Sequence, residues 1–313
     1  MKILLYHRVA PSHEVGSMSV HTAVDPEVFE QQMKLIQKRV VPLEESVEAG
    51  FNRSSKAIAV TFDDGYLDNF TYAFPILKRN NIRATIFLST ENIDKRFNFW
   101  WDKLDFLVAK TSRKHIEYDE VHYDLLTENQ KRVAYGALSR VIARQEQCLD
   151  ITIKELEEIF YATTKPEDCS LMTWDHVKEM SASGITFGSH TCTHKRLSLI
   201  GDNHALKREL LQSKKTLGEI IGDKPFGFAY PYGRETDYRA ESTSAIAEVG
   251  YQYACTAVAK EFENSDSIYE IPRIGISGKD TPMSFRLKAE TAYPQLYHKV
   301  RRILGKHKVK SWK

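Results

Sequence analysis

Two adjacent carboxylates at the end of a short apolar run constrain this chain more than any other feature. Ala57-Ile58-Ala59-Val60 has the small and β-branched residues of a strand buried on both faces, and it leads through Thr61-Phe62 into Asp63-Asp64-Gly65. Neighbouring residues in a regular strand point to opposite faces. Asp63 and Asp64 can therefore serve one site only where the strand stops and the backbone turns, which Gly65 permits. Like charges packed side by side at a buried strand end are costly unless a cation or a proton offsets them. A bound metal is the first expectation.

The surroundings alternate between short apolar strands and helices. Ile3-Leu4-Leu5-Tyr6 reads as a first strand, with His7 and Arg8 at its end. Further strands are expected at Ala84-Thr85-Ile86-Phe87-Leu88, Ile185-Thr186-Phe187, Phe226-Gly227-Phe228-Ala229, Tyr253-Ala254-Cys255 and Ile271-Pro272-Arg273-Ile274. Asp25 is an N-cap followed by Pro26 at the first helical position, and Phe29, Met33 and Ile36 share one face. Residues 69–78 read as a helix disturbed by Pro75, and Thr173 caps another that runs through Met180. A long amphipathic helix spans about 203–221 and buries Leu206, Leu210, Leu217 and Ile221. This alternation favours an α/β fold with a mainly parallel sheet or barrel.

The rhythm breaks over 97–170, where no strand is expected. The segment opens on Phe97, Phe99, Trp100 and Trp101 and continues at helical spacing, with capping boxes at Thr127/Gln130 and Thr152/Glu155. It reads as a helical insertion within one domain covering 1–313. Its aromatic cluster either stacks against a sugar or staples the insertion to the barrel.

Composition removes several function classes. A net charge of +2 gives no reason to expect a nucleic-acid partner. The 4 cysteines form no CxxC pair and read as free thiols in a reducing compartment. The first apolar run is too short for a signal peptide, and no later run has the length of a membrane span, so a cytoplasmic location is expected. The tail over 297–313 carries Lys299, Arg301, Arg302, Lys306, Lys308, Lys310 and Lys313 without an acid. Such a run is either solvated or a peripheral contact for an anionic membrane.

His190 and His194 are four residues apart, a spacing that places both rings on one side of a helical turn. Two histidines and one carboxylate make a three-ligand set with a position left open, the arrangement of hydrolytic zinc sites. There is no HExxH, so a metalloprotease base beside the first histidine is missing, and the spare aspartate of the Asp63-Asp64 pair is the substitute. A purely structural metal would normally have four protein ligands.

TFDDG, SHTCTH and AYPYG, in this order, resemble the polysaccharide deacetylase family with its NodB-type homology domain, over about residues 3 to 275. The resemblance implies a distorted (β/α) barrel and a divalent metal, commonly zinc, held by Asp64, His190 and His194. It implies Asp63 as general base and the Tyr232 backbone N–H as oxyanion donor. Co2+, Ni2+, Mn2+ and Fe2+ suit the same donors. Two departures matter. Phe228-Ala229-Tyr230 lacks the arginine that usually precedes the third motif, and the usual late leucine-x-histidine is absent. Permuted members carry their general-acid histidine in an N-terminal strand, which points to His7; Arg273 could replace the missing arginine and hold Asp63 ionised. The implied reaction is N-deacetylation of an N-acetylated sugar in a surface glycan, an exopolysaccharide or its precursor. The alternatives are hydrolysis of another linear or cyclic amide, and a glycan-binding module without turnover.

Overall fold

The apolar runs assemble into one parallel sheet that curls on itself. In this computed structural model the described residues are 1–290, apart from 16–17, 19–21, 52–55, 95–98, 145–148, 162–170, 224–225 and 264–265. Phe97, Cys148, Cys169 and the basic tail over 297–313 lie outside the described residues. We number the barrel strands alone: β1 (Lys2–Tyr6), β2 (Ile58–Phe62), β3 (Thr85–Leu88), β4 (Thr186–Ser189), β5 (Gly227–Ala229), β6 (Tyr253–Cys255) and β7 (Ile274–Gly275). Their order in the sheet is β6-β5-β4-β3-β2-β1-β7. Residues 271–276 join the two edges, because Ile271 pairs with Cys255 of β6 while Ile274 pairs with Leu4 of β1. The α/β barrel expected from the alternation is the fold observed.

Strand alternation sorts side chains into an outer and an inner core. Leu4, Tyr6, Ile58, Val60, Phe62, Ile86, Leu88, Phe187 and Phe228 face the surrounding helices. Ile3, Ala59, Phe87, Ala229, Tyr253, Cys255 and Ile271 fill the inside with Leu43 and Val47 of the helix Leu43–Glu48. Glu44 of that helix accepts hydrogen bonds from Tyr253 Oη (2.8 Å) and Thr85 Oγ1 (3.1 Å). Small inward residues make room for large ones. A Cβ at Gly188 would lie 2.6 Å from the Phe87 ring and 2.7 Å from the Gly227 carbonyl oxygen.

The helices form for the reasons read in the sequence. Asp25 accepts from Glu27 N at 2.9 Å and caps Pro26–Ile36. Thr173 caps Trp174–Ala182, and Asn203–Ile221 buries Leu206, Leu210 and Leu217. Ile221 is only half-buried. Pro75 sits in the first turn of Phe74–Arg79, after a wider π turn over Asn69–Ala73. Among the described residues no helix is long and apolar enough to cross a membrane.

The insertion differs from its sequence reading in two places. His115–Tyr118 and Val121–Asp124 form an antiparallel hairpin where no strand was expected. Only Ile116 and Tyr123 of the hairpin are buried, so it shows little apolar alternation to read. Its turn places Asp119 and Glu120 at φ 54° and 59°. Thr152 does not cap a helix but lies inside Leu149–Phe160. The Thr127/Gln130 box is present, with Gln130 N donating to Thr127 Oγ1 at 3.2 Å and Thr127 N to Gln130 Oε1 at 3.0 Å. Leu104, Val108, Leu138, Ile142 and Leu156 give the insertion its own core. The helix Trp100–Lys110 ties it to the barrel, since Trp101 Nε1 donates to Tyr66 Oη and Tyr66 Oη donates to Asp102 Oδ2, both at 2.8 Å.

Gly188→Ala should destabilise the fold by about 1–3 kcal/mol in urea unfolding, because strand backbone and an aromatic ring must both move. Gly201→Ala, with open space around it, should stay within about 0.5 kcal/mol of the parent. Burial raises the Asp102 carboxyl to about 7 against the pull of Arg8 and the Tyr66 hydrogen bond, with Asp64 and Asp105 adding repulsion. The folded state then holds more protons than the unfolded one between about pH 4 and pH 7, so stability falls as pH rises through that window. Asp102→Asn should lose less stability than the parent between pH 5 and pH 8. A larger loss would show that the buried carboxyl is ionised in the folded state.

Candidate active site

The site sits where the strands end, at the face on which α/β barrels gather their loops. The β2 register continues one residue further, with Asp63 N donating to Tyr6 O at 3.1 Å. The chain then turns at Asp64 itself, φ 76°, and again at Gly65, φ 86°. Both residues of the turn, not Gly65 alone, adopt the left-handed region. The two carboxylates thereby leave the strand's alternation and reach one centre.

His190 prolongs β4 in the same way, its N–H donating to Leu88 O at 2.8 Å. The stretch to His194 is a loop, not the helical turn that its spacing suggested. Thr191 and His194 lie at φ 66° and 64°. A β-branched residue there is strained. The loop is held by many partners. Glu209 Oε2 accepts from Cys192 N (3.0 Å) and Thr193 N (3.2 Å), and its Oε1 accepts from Thr193 Oγ1 (2.9 Å). Thr191 O accepts from Ser213 Oγ at 3.2 Å. Sequence reasoning missed Glu209 and Ser213; both sit on the helix Asn203–Ile221, in no motif, and the fold alone brings them to the loop. Cys192 and Cys255 are buried free thiols.

Asp64, His190 and His194 offer ligand atoms that all lie within 4.8 Å of one another, and all three residues are buried. Asp64 Oδ1 is 3.3 Å from His194 Nε2 and 3.6 Å from His190 Nε2. His190 Nδ1 donates to Ala229 O at 2.8 Å, which leaves Nε2 as a lone-pair donor facing the cluster. Burial lowers His190 to about 4 despite the nearby Asp63 carboxylate, so the ring is neutral at ordinary pH. Burial opposes ionisation of Asp64, but the hydrogen bond with His194 outweighs it and holds the carboxyl below its usual range. Neutral imidazole beside ionised carboxylate is the donor state that a divalent cation requires. The residues fit such an ion.

Asp63 has a different partner. Arg273 Nη1 and Nη2 donate to its two carboxylate oxygens, each at 2.7 Å, and Arg273 Nε donates to Thr256 O at 2.8 Å. The guanidinium is 0% exposed and Asp63 3%. Burial would raise the Asp63 carboxyl, yet the Arg273 charge and its hydrogen bonds keep it below the ordinary value. Asp63 Oδ2 lies 4.0 Å from His190 Nε2, at the edge of the ligand cluster.

His7 follows β1 and lines the same cleft. Its segment is clamped from two sides: Asn69 Nδ2 donates to His7 O (2.9 Å), and Arg8 Nε donates to Asp68 Oδ2 (2.7 Å). Tyr232 follows β5 at φ 61° and also lines the cleft. Its hydroxyl accepts from Trp100 Nε1 at 3.1 Å, and Arg196 lies over its ring at 4.5 Å. The aromatic cluster therefore both staples the insertion and lines the cleft. Phe99 stacks on Trp101 at 4.5 Å, and the two rings meet His194 edge-on at 5.2 and 5.1 Å.

Several known proteins resemble this chain in sequence and in fold. YxkH of Bacillus subtilis (strain 168) is 23% identical over 283 residues, 88% of this chain and 71% of that protein. The deacetylase PplD of Streptococcus pyogenes, solved in complex with acetate, has the same fold with a TM-score of 0.61 at 20% identity, over 93% of this chain and 98% of that one. IcaB from Ammonifex degensii gives a TM-score of 0.60 at 22% identity, over 93% and 96% of the two chains. The family profile described as polysaccharide deacetylase matches residues 51–254, more than half of the sequence, and the chain belongs to the polysaccharide deacetylase family.

Proposed function

We propose that this protein is a metal-dependent hydrolase that removes N-acetyl groups from an N-acetylated sugar, in a surface glycan, an exopolysaccharide or a precursor of one, with release of acetate. One observation carries the reading: three buried ligand-type side chains share a centre, and the carboxylate beside them is engaged by an arginine instead of joining the set. Asp64, His190 and His194 would hold one divalent ion. Zinc is the first choice for two imidazoles and a carboxylate, and Co2+, Ni2+, Mn2+ and Fe2+ share the donor preference. When bound, the ion supplies Lewis-acid polarisation and acidifies water.

The chain's own groups take the remaining roles. Asp63, kept ionised by Arg273, accepts the proton of the attacking water. The fork of Arg273 fixes the direction of the carboxylate as well as its charge. Tyr232 N–H donates to the carbonyl oxygen as negative charge develops there, a contribution of about 3 kcal/mol for one preorganised donor. His7, fixed through Asn69 and the Arg8–Asp68 pair, donates a proton to the departing amine, so the products are acetate and a free amino sugar.

Chelation should abolish acetate release from N-acetylated oligosaccharides, and added zinc should restore it. Asp63→Asn should retain the metal while kcat falls by about 10²–10⁴. Near-parental turnover in that variant would remove Asp63 from the base role. His7→Ala should likewise leave metal affinity intact and lower kcat by about 10² or more. Metal loss in His7→Ala would make His7 a ligand instead of an acid.

A further inference from the structure

Among the described residues that line the cleft, Arg8 is the lone arginine or lysine, and the proposed chemistry uses it only in the clamp beside His7. Its side chain is 9% exposed, deep enough that a guanidinium needs partners for its five N–H groups. One of them is answered: Nε donates to Asp68 Oδ2 at 2.7 Å. Asp68 offers no two-oxygen fork, because its Oδ1 accepts from Val9 N (3.2 Å) and Asn69 Nδ2 (3.1 Å). Arg8 Nη1 and Nη2 donate to no group among the described residues, and neither is sealed from water. The open edge of the guanidinium therefore meets the water of the cleft.

That edge is held in place before any ligand arrives. The guanidinium carbon lies 4.4 Å from the centre of the Tyr66 ring, and Tyr66 is itself fixed by Trp101 and Asp102. The Arg8 backbone pairs with Ala23 in a short parallel ladder. Two coplanar N–H donors match the two oxygens of a carboxylate or a phosphate. A donor fixed in advance loses little freedom on binding. The neighbouring charges admit an anion as well. Asp63 and Asp64 are the carboxylates among the described lining residues. Asp63 is paired with Arg273, and Asp64 faces two imidazoles and the ion they would share. A neutral N-acetyl sugar would offer Arg8 only hydroxyl groups, weaker acceptors than an ionised oxygen.

We propose that Arg8 is an anion reader in this cleft. Its Nη edge bonds a carboxylate or phosphate group carried by the N-acetylated sugar, so the preferred substrate is an acidic amino-sugar derivative and not a neutral one. The identity of the reacting group rests on the deacetylase reading, but recognition of the anion does not.

The test titrates the zinc-loaded full chain with N-acetylglucosamine and with three sugars that add one acid group to it: N-acetylmuramic acid, N-acetylglucosamine 1-phosphate and N-acetylglucosamine 6-phosphate. Binding is followed by tryptophan fluorescence and acetate is measured in parallel. At least one acidic sugar should bind about tenfold or more tighter than the neutral one, and which one separates a carboxylate from a phosphate. Arg8→Gln should bring that ratio close to one. Arg8 also helps to clamp His7, so turnover in the variant should fall for neutral and acidic sugars alike; only the ratio reports the anion. Should Arg8→Gln not fold, Arg8→Lys decides, because a point charge without the fork should lose about threefold or more of the preference. A parent without preference for any acidic sugar would overturn the proposal. So would a preference that a folded Arg8 variant leaves unchanged, which would put the anion on the zinc. An Arg8-dependent preference without acetate would uphold the reader and remove the deacetylase reading. Acetate release from all four sugars without preference would do the reverse, and absence of both binding and release would end both.

Discussion

Burying two consecutive carboxylates is the constraint on which the rest of this structure depends. Their charges are answered separately. Asp64 faces two imidazoles, whereas Asp63 receives both arms of Arg273 in a pair almost wholly removed from solvent. Removing one partner of such a pair leaves a buried charge uncompensated, at a cost of about 3–5 kcal/mol. The barrel interior is arranged to admit the guanidinium. Thr61 and Asp63 follow Ala59 at strand spacing, Thr61 Oγ1 accepts from Arg273 Nη1 at 3.3 Å, and the guanidinium carbon lies 5.4 Å from the Phe87 ring centre. Arg273 belongs to residues 271–276, which also join the edges of the sheet, so barrel closure and the ionisation of Asp63 are one structural event.

Backbone strain is also present around the same centre. Asp64, Thr191, His194 and Tyr232 all adopt positive φ without being glycine. Such residues persist only when their surroundings over-determine them. Here Glu209 fixes the loop between the histidines, and Arg196 bridges that loop to the next, placing Nε 3.4 Å from Asp237 Oδ1 and its guanidinium over Tyr232. The directions of the side chains at the candidate site are thus set by neighbours on other elements.

The insertion is coupled to the site through aromatic hydrogen bonds and through Phe99 and Trp101, which pack in the outer barrel core. Its apolar cluster is separate from both barrel cores, yet Trp100 and Trp101 reach Tyr232 and Tyr66, which line the cleft with Asp64, His190 and His194. Displacing that helix would therefore be felt at His194, against whose ring Trp101 packs.

Local pattern in the sequence determined the barrel's strands, the capped helices and the residue types that meet at the strand ends. Short apolar runs, Asp25-Pro26, Thr173 and the pair at Asp63-Asp64 act through neighbours in the chain, and such signals survive without coordinates. The hairpin at His115–Tyr118 and Val121–Asp124 was invisible because little of it is buried, and the histidine spacing misled because a loop can bring residues 190 and 194 together as well as a helix can. Tertiary structure alone decided that Glu209 braces the histidine loop, whereas the approach of Arg273 to Asp63, 210 residues away, was expected from the family resemblance and from no local pattern. Those contacts depend on barrel closure, and closure joins segments whose separation along the chain leaves no periodic mark.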